Sequence, residues 1–547
     1  MTTVPRFDTN DVFNQSPPYE NVDLFLSDLP LREAVEANGA GSEIADLSAF
    51  GREWGAAEMF SLARRANENP PKLYIFDPKG FRRDVVEFYP AYHDLMRTSI
   101  AAGLHGSTWQ ASGDRKPPPA EVARSARYYM AAQIESGHLC PITMTRAALA
   151  ALVAAPSLLA QIAPKVVSKS YDPTFRPWWE KPGMTLGMGM TEKQGGTDVR
   201  ANSTTATPVG EAYSITGHKW FLSAPMCDSF LVLAQAPGGL TCFFVPRFRP
   251  DGAVNGLRLQ RLKDKLGNRS NASSEAEFID AFALRVGEEG AGVRTIIQMV
   301  QLTRLDCALA SAGFMRMAMT QAIHHCRYRS VFQRHLYDQP MMRAVLADLA
   351  LEVEGAIALV MRLSRAFDYA ATDPREAAYA RLITPAAKYW ICKTAPGFIY
   401  EAMECLGGNG YVEESMLPRL YREAPLNAIW EGSGNVMCLD VLRALKRESE
   451  AGELVSGLGR EVAQWTGEKV RSIEPANEFE SEAVARVTVG KLAALAAASA
   501  LAATAPPAIV DAFVRTRLLA PHAALYGAGG IDSPTIHALL QRALPEG

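Results

Sequence analysis

Apolar residues recur three and four positions apart through Glu121–Ser136 and Thr145–Ile162, the spacing that gives a helix one buried face. The same period runs up to about Gly183, with loops marked by Pro70-Pro71 and Pro117 to Pro119. From Met184 to about Val286 the pattern changes to short alternating or β-rich runs: Ala212–Leu222, Phe230–Ala236, Leu240–Val245 and Glu275–Ile279. Turn residues such as Pro237-Gly238-Gly239 and Asp251-Gly252 separate them, so a small sheet or barrel is expected. Past Gly292 the helical period returns in three long stretches, Arg294–Arg327, Met341–Ala370 and Arg375–Leu406, each long enough for a bundle element. The pattern predicts an α+β chain in four parts: an N-terminal helical domain (1–183), a β-domain (184–290), a helical bundle (291–445) and an alanine-rich helical extension (446–547). The extension has a polar interruption around Pro475 to Ser481. Its uncharged stretch Leu492–Val510 is mostly alanine and is broken by Pro506-Pro507, which predicts a buried packing helix and no membrane insertion.

Composition narrows the function classes. A chain of 547 residues that is 48% hydrophobic and 21% charged can bury large cores, which excludes disorder as its main state. Lys+Arg 56 against Asp+Glu 59 leaves a formal charge of −3, so no global positive field is available to hold nucleic acid. The eight cysteines show no CxxC and no metal-like Cys/His cluster, which points to reduced, buried thiols and to no metal site. The N-terminus has no basic segment followed by an apolar run, so a cytoplasmic location is expected.

Four patches could carry chemistry. Gly189-Met-Thr-Glu-Lys-Gln-Gly-Gly-Thr-Asp198 has paired glycines that let backbone N–H groups approach a ligand, although such a turn before a strand also reads simply as a turn. It lacks the spacing of a phosphate-binding Gly-Lys-Ser/Thr loop and of GxGxxG. Gly217-His-Lys-Trp-Phe-Leu-Ser223 sets two aromatics and a hydroxyl where a planar ring could pack, or forms an ordinary buried strand. Leu406-Gly-Gly-Asn-Gly-Tyr411 ends a helical run and reads locally as a C-cap. In Ile429-Trp-Glu-Gly-Ser-Gly-Asn435 a carboxylate stands among apolar and small residues, where a bare charge is disfavoured and the pKa rises toward proton-transfer range. That makes Glu431 a candidate base.

Together, in this order, the patches resemble the acyl-CoA dehydrogenase family of flavoproteins. Val12-Phe-Asn-Gln15, Cys140-Pro-Ile-Thr-Met-Thr145, Arg261 to Ser273 and Trp430 to Asn435 resemble its AidB-like branch, the adaptive-response flavoproteins. The resemblance implies that family's fold: an N-terminal helical domain, a central β-barrel or sheet domain and a C-terminal four-helix bundle. It also implies FAD, an acyl-CoA substrate, a homo-oligomer (a tetramer) and Glu431 as the base that removes the α-proton while the β-hydride goes to flavin N5. Met190, Thr191, Gly196 and Thr197 would hold the ring edge and pyrophosphate. Phe221 and Ser223 would contact the isoalloxazine, and Ser433 and Asn435 would reach FAD beyond the catalytic loop. Arg329, Phe332 and Gly408 would come from a neighbouring subunit. Three positions depart from the family pattern: Glu404 replaces Gln, Gln333 replaces Gly, and Phe221 stands where many members have Trp. Thr303 occupies the place where some members put the base.

The same branch implies duplex DNA as an alternative partner, with Arg443, Lys446 and Arg447 as candidate contacts and Arg515 with Arg517 as a second basic pair. Residues 441–547 hold eleven Lys/Arg and twelve Asp/Glu, so the extension as a whole lacks a basic surplus.

Overall fold

A computed structural model of the chain describes residues 12–447, 449–466, 482–519 and 525–545, and the polar interruption at Pro475–Ser481 lies outside them. The first third is helical: α1 (Leu29–Ala37), α2 (Ile44–Trp54), α3 (Ala57–Glu68), α4 (Pro90–Ala101), α5 (Ala120–Ile134), α6 (Leu139–Leu152) and α7 (Pro156–Val166). Two expectations need correction here. The run Thr145–Ile162 is two helices, because the chain turns at Val153–Ala155 and Pro156, lacking an N–H to donate, starts α7. The region also contains an antiparallel hairpin, β1 (Lys72–Phe76) with β2 (Arg82–Glu87).

The β-domain holds β3 (Leu186–Gly189), β4 (Thr205–Val209), β5 (Ala212–Ser223), β6 (Ser229–Ala236), β7 (Gly239–Pro246), β8 (Leu257–Leu262) and β9 (Ser273–Val286). Around the ring β4-β5-β9-β7-β6 every neighbouring pair is hydrogen-bonded and β6 meets β4 again, so these strands close into a barrel. β3 is added parallel to β6, and β8 antiparallel to β9. Phe230–Ala234 and Leu240–Val245 fill the interior with continuous buried runs.

Three long helices follow, α8 (Gly292–Tyr328), α9 (Pro340–Tyr369) and α10 (Pro374–Cys405), then α11 (Gly408–Tyr411), α12 (Leu417–Asn427), α13 (Gly434–Arg447) and α14 (Ser449–Thr466). Pro340 and Pro374 occupy first turns, where a missing N–H costs nothing, and Asp373 caps α10 by accepting from the Arg375 N–H at 2.8 Å. A buried charge network joins the helical parts. Arg124 (α5) and Arg146 (α6) both hold Asp306 (α8), and Arg146 and Arg115 hold Glu121. Burial alone would raise the Glu121 carboxyl, but Arg146, Arg115 and Arg124 outweigh it and hold it at about 2. The helix Ala485–Ala502 is long and apolar enough to span a membrane; twelve of its residues are buried, and it packs on α9 and α10. All eight cysteines are buried and unpaired.

Candidate active site

Glu431 lies in the short segment between α12 and α13, and that segment is pinned from three helices. Lys388 of α10 donates to the carbonyls of Asn427 and Gly432, both at 2.8 Å. Arg304 of α8 donates to the Glu431 carbonyl at 3.1 Å while pairing with Asp440 of α13 at 2.6 Å. Trp430 Nε1 donates to Asn427 Oδ1 at 2.9 Å. These contacts hold Glu431 in the left-handed region, φ +59°, which a glutamate adopts only when its surroundings over-determine it. The residue keeps some exposed surface, yet its carboxyl is desolvated, and burial raises its pKa above the ordinary carboxylate range against the pull of Thr303, Lys388 and Arg304. Thr303 Oγ1 donates to Glu431 Oε2 at 2.5 Å, so the residue at the family's other base position acts as a partner of the acid.

The glycine-rich segment leads from β3 toward β4 and lies against the second half of β5, where the Trp220 N–H donates to the Thr191 carbonyl at 2.8 Å. Its Glu192 is buried and pairs with Lys219 at 2.8 Å, and it accepts from the backbone of Ser203 (2.7 Å) and Thr204 (3.1 Å). These contacts outweigh burial and hold its pKa well down. Glu192 therefore anchors the loop and leaves Thr197 exposed, with Met190, Thr191 and Gly196 part-exposed. A Cβ at Gly196 would meet Thr191 Oγ1 at 2.3 Å, so only glycine fits there. On β5, Phe221 is exposed and lies where the register with β9 shifts, and Ser223 is half-buried. Met190 and Trp430 both pack against the apolar cluster that fills the β-domain.

Behind Ser223 lies a polar layer built by two of the singled-out motifs. Cys140 of α6 lies close to Ser223, Asn271, Lys265 and Glu431, and burial pushes its thiol up to about 12. In the β8–β9 connection, Lys265 Nζ donates to Asn271 O at 2.6 Å and Ser273 Oγ at 3.0 Å, and the Ser273 and Ser223 hydroxyls are 3.2 Å apart. Asn268 N–H donates to Glu423 of α12 at 2.6 Å, and Ser270 donates to Glu135, the residue that follows α5, at 2.7 Å. Burial, reinforced by Glu135, raises Glu423 to about 7.

Arg329, Phe332 and Gly408 are elsewhere. Twenty-six residues of helix, roughly 39 Å at about 1.5 Å per residue, separate Thr303 from Arg329. Arg329 donates to the Asn14 carbonyl at 2.8 Å, Asn14 brackets Ser330 with hydrogen bonds of 2.6 and 2.9 Å, and Asn409 donates to Gln15 at 3.0 Å. Phe332, at the tip of a small hairpin, is 94% exposed. Ser433 and Asn435 sit beside Glu431, both exposed, and Asn435 Oδ1 accepts from Arg486 of the extension at 2.8 Å. Arg443 and Lys446 are exposed on α13, and the Arg447 side chain lies outside the described residues. Arg517, read as part of a basic pair, is buried and consumed by Asp348 (2.6 Å) and Glu352 (2.7 Å), so it offers no cation to a ligand. A cavity of about 640 Å³ lined by Phe50, Trp109, Lys116 and Lys169 contains none of the predicted site residues.

Residues 14–173 match the adaptive response protein AidB N-terminal domain, 187–281 the acyl-CoA dehydrogenase middle domain and 290–446 the acyl-CoA dehydrogenase C-terminal domain. AidB of Escherichia coli (strain K12) is 51% identical over 453 residues, covering 82% of this chain and 83% of that protein. The chain belongs to the acyl-CoA dehydrogenase family. Within it, the N-terminal match and the AidB identity assign the AidB-like branch. Acyl-CoA dehydrogenase family member 11 of Caenorhabditis elegans is 30% identical over 465 residues, covering 82% of this chain and 73% of that protein. The crystal structure of Caenorhabditis elegans ACDH-11, solved in complex with C11-CoA, superposes with a TM-score of 0.81 at 25% identity, covering 98% of this chain and 93% of that one. The sequence singles out Glu431 but gives no role to Lys388, Arg304 or Lys265, whose contacts come from helices and loops distant in sequence.

Proposed function

We propose that the protein is an FAD-dependent acyl-CoA dehydrogenase, acting as a homo-oligomer, in which Glu431 takes the α-proton of an acyl-CoA thioester. The observation that carries the reading is the desolvated Glu431 carboxyl on a left-handed backbone, hydrogen-bonded by Thr303 at 2.5 Å and close to the layer behind Ser223. The residues fit a flavin. Gly196 leaves the Thr191 hydroxyl room that a side chain would fill, and β5 carries an exposed ring, Phe221, two residues before a part-exposed hydroxyl, Ser223. When bound, the flavin supplies the acceptor for the β-hydride at N5. Met190, Thr191, Gly196 and Thr197 would hold the cofactor's polar edge, with Phe221 packing on the ring and Ser223 hydrogen-bonding near N5; Ser433 and Asn435 would extend the contact past the base.

Glu431 Oε2 keeps the Thr303 hydroxyl as donor, which leaves Oε1 to receive the proton. Burial makes the ionised carboxylate a stronger base than a solvated one, which suits abstraction of a weakly acidic C–H. Arg329, Phe332 and Gly408, too distant to serve the Glu431 site of their own chain, would complete the cofactor site of a neighbouring subunit, the guanidinium pairing with phosphate oxygens. The bound acyl-CoA of the Caenorhabditis elegans structure supports the substrate class.

Glu431→Gln is expected to slow anaerobic bleaching of the flavin by acyl-CoA thioesters about 10²- to 10⁴-fold, the usual worth of a positioned base. Unchanged bleaching removes Glu431 as the base, and a purified protein that neither binds nor retains FAD removes the cofactor. DNA contact through Arg443, Lys446 and Arg447 remains a reading of the branch alone, since the buried ion pairs of Arg517 reduce the basic surface it would need.

A further inference from the structure

Lys265 is a half-buried lysine whose ammonium, among the described residues, is held by the Asn271 carbonyl (2.6 Å) and the Ser273 hydroxyl (3.0 Å) and by no carboxylate. Ser273 Oγ is 3.2 Å from Ser223 Oγ, the hydroxyl read above as the contact near flavin N5. A desolvated cation therefore stands two hydroxyls behind the place where the ring gains electrons. We infer that Lys265 is a positioning and tuning residue for the flavin: through Ser273 it orients the Ser223 hydroxyl toward the ring, and its positive charge stabilises the reduced, electron-rich cofactor. The inference rests on the flavin reading of Ser223 and deepens it.

Physical estimates support the size of the effect. Contacts of 3.0 and 3.2 Å in series link the charge to Ser223 Oγ, and a ring held by that hydroxyl would lie within about 9 Å of it, where at an effective dielectric of about 20 a unit charge would shift a charge-forming equilibrium by about tenfold or more. The charged groups around Lys265 decide when that charge is felt. The Cys140 thiol, from α6, stays neutral because burial has pushed it up to about 12. Glu423, from α12, lies within electrostatic reach of Lys265 and is itself flanked by Glu135 and Arg419, Glu135 being held by His138 at 2.7 Å. Burial lowers Lys265 to about 8, opposed by Cys140 and Glu423, and Glu423 titrates at about 7. Below about pH 7 the lysine is charged and Glu423 neutral, so the full positive charge acts. Between about 7 and 8 Glu423 ionises and offsets it, and above about 8 the lysine loses its proton.

The test is the midpoint potential of bound FAD in the purified holoprotein, by equilibrium reduction against a reference dye, with FAD content per subunit measured alongside. Lys265→Met is expected to make the flavin harder to reduce by at least tenfold in the reduced-to-oxidised ratio at pH 6.5, equivalent to about 30 mV for a two-electron couple. Lys265→Arg should recover most of that. Glu423→Gln keeps an oxygen to accept the Asn268 N–H and removes the offsetting charge, so at about pH 7.5, where Glu423 is largely ionised and the lysine still holds most of its proton, it should move the potential the opposite way. Nonspecific damage to the loop would shift both variants in one direction, and that outcome overturns the assignment, as does an unmoved potential in either. Should Lys265→Met fail to fold, the sign of the Glu423→Gln shift decides. A protein without flavin sinks the cofactor reading, whereas a normally yellow protein with unmoved potentials sinks only the role of Lys265.

Discussion

One hydroxyl, that of Thr303, bears on the working state of the acid it touches, although its position pattern reads only as the place where some family members put the base. The Thr303 hydrogen bond favours ionised Glu431, against burial, which raises its pKa. Thr303→Val removes a hydrogen bond to a charged acceptor worth about 1.5–3 kcal/mol, roughly 1–2 pH units. The base must be ionised to act, so the acid limb of kcat/KM against pH is expected to move up by that amount; an unmoved limb would show that the limb belongs to another group. A stability consequence follows with its own sign. Because the folded pKa of Glu431 lies above the unfolded one, ionising it costs the fold stability above the folded value and nothing below the unfolded value. Glu431→Gln should therefore melt higher than the parent at pH 8 and alike at pH 4, the trade between activity and stability expected of a strained site.

Among the elements, the hairpin of Ser330–Val331 with Arg334–His335 is the most telling. Its two-residue turn has φ +52° at Phe332 and +62° at Gln333, a geometry that favours Asn-Gly and here carries an aromatic and an amide. Gln333, one of the departures from the family pattern, thus holds a conformation that costs a side-chain-bearing residue about 1–2 kcal/mol. Gln333→Gly is expected to raise the stability of the folded protein by up to about 1 kcal/mol in thermal or denaturant unfolding, after glycine's entropy is deducted, and to leave FAD content unchanged. If Phe332 completes a neighbouring subunit's cofactor site as proposed, Phe332→Ala should lower FAD retention and reduce the mass seen in light scattering. Legibility followed the same division between local and distant causes. Long periodic segments such as Met341–Ala370 and Arg375–Leu406 were readable because one face repeats for many turns. The hairpin Lys72–Glu87 was overlooked although Lys72 to Phe76 alternates and Pro78-Lys79-Gly80 marks a turn, since it sits between strongly helical segments. Pro156 inside a helical period was the available sign of the α6–α7 break. Lys265 could not be found that way: nothing local says that the ammonium of a lysine in a charged run will be desolvated.

At the scale of the whole molecule, the alanine-rich extension is part of the core. Its helices share one apolar cluster with Leu24 to Ile142 and with the bundle, and alanine is what lets Ala485–Ala502 approach α9 and α10 closely. Phe513 lies over Gly355 of α9, where a Cβ would meet its ring at 2.4 Å. Buried charges fasten the same face: Arg517 to Asp348 and Glu352, and Arg542 to Glu354 and Glu33, each within 2.7 Å. The chain's last described helix, Ser533–Ala543, thereby ties α9 to α1. Removing one partner of such a pair leaves the other charge buried, so Arg542→Met is expected to cost about 3–5 kcal/mol at neutral pH. The loss should depend on pH in a defined direction. Burial already raises Glu354 above the ordinary carboxylate value while Arg542 opposes it, so without the arginine its pKa climbs further. Protonation then relieves the variant in acid, and the gap in melting temperature between parent and Arg542→Met should widen from pH 5 to pH 8. Adding Glu354→Gln should close part of that gap at pH 8 and little of it at pH 5. A pH-independent gap would mean that the arginine acts through packing of its stem, and a negligible one would mean that the extension is held by its apolar face alone.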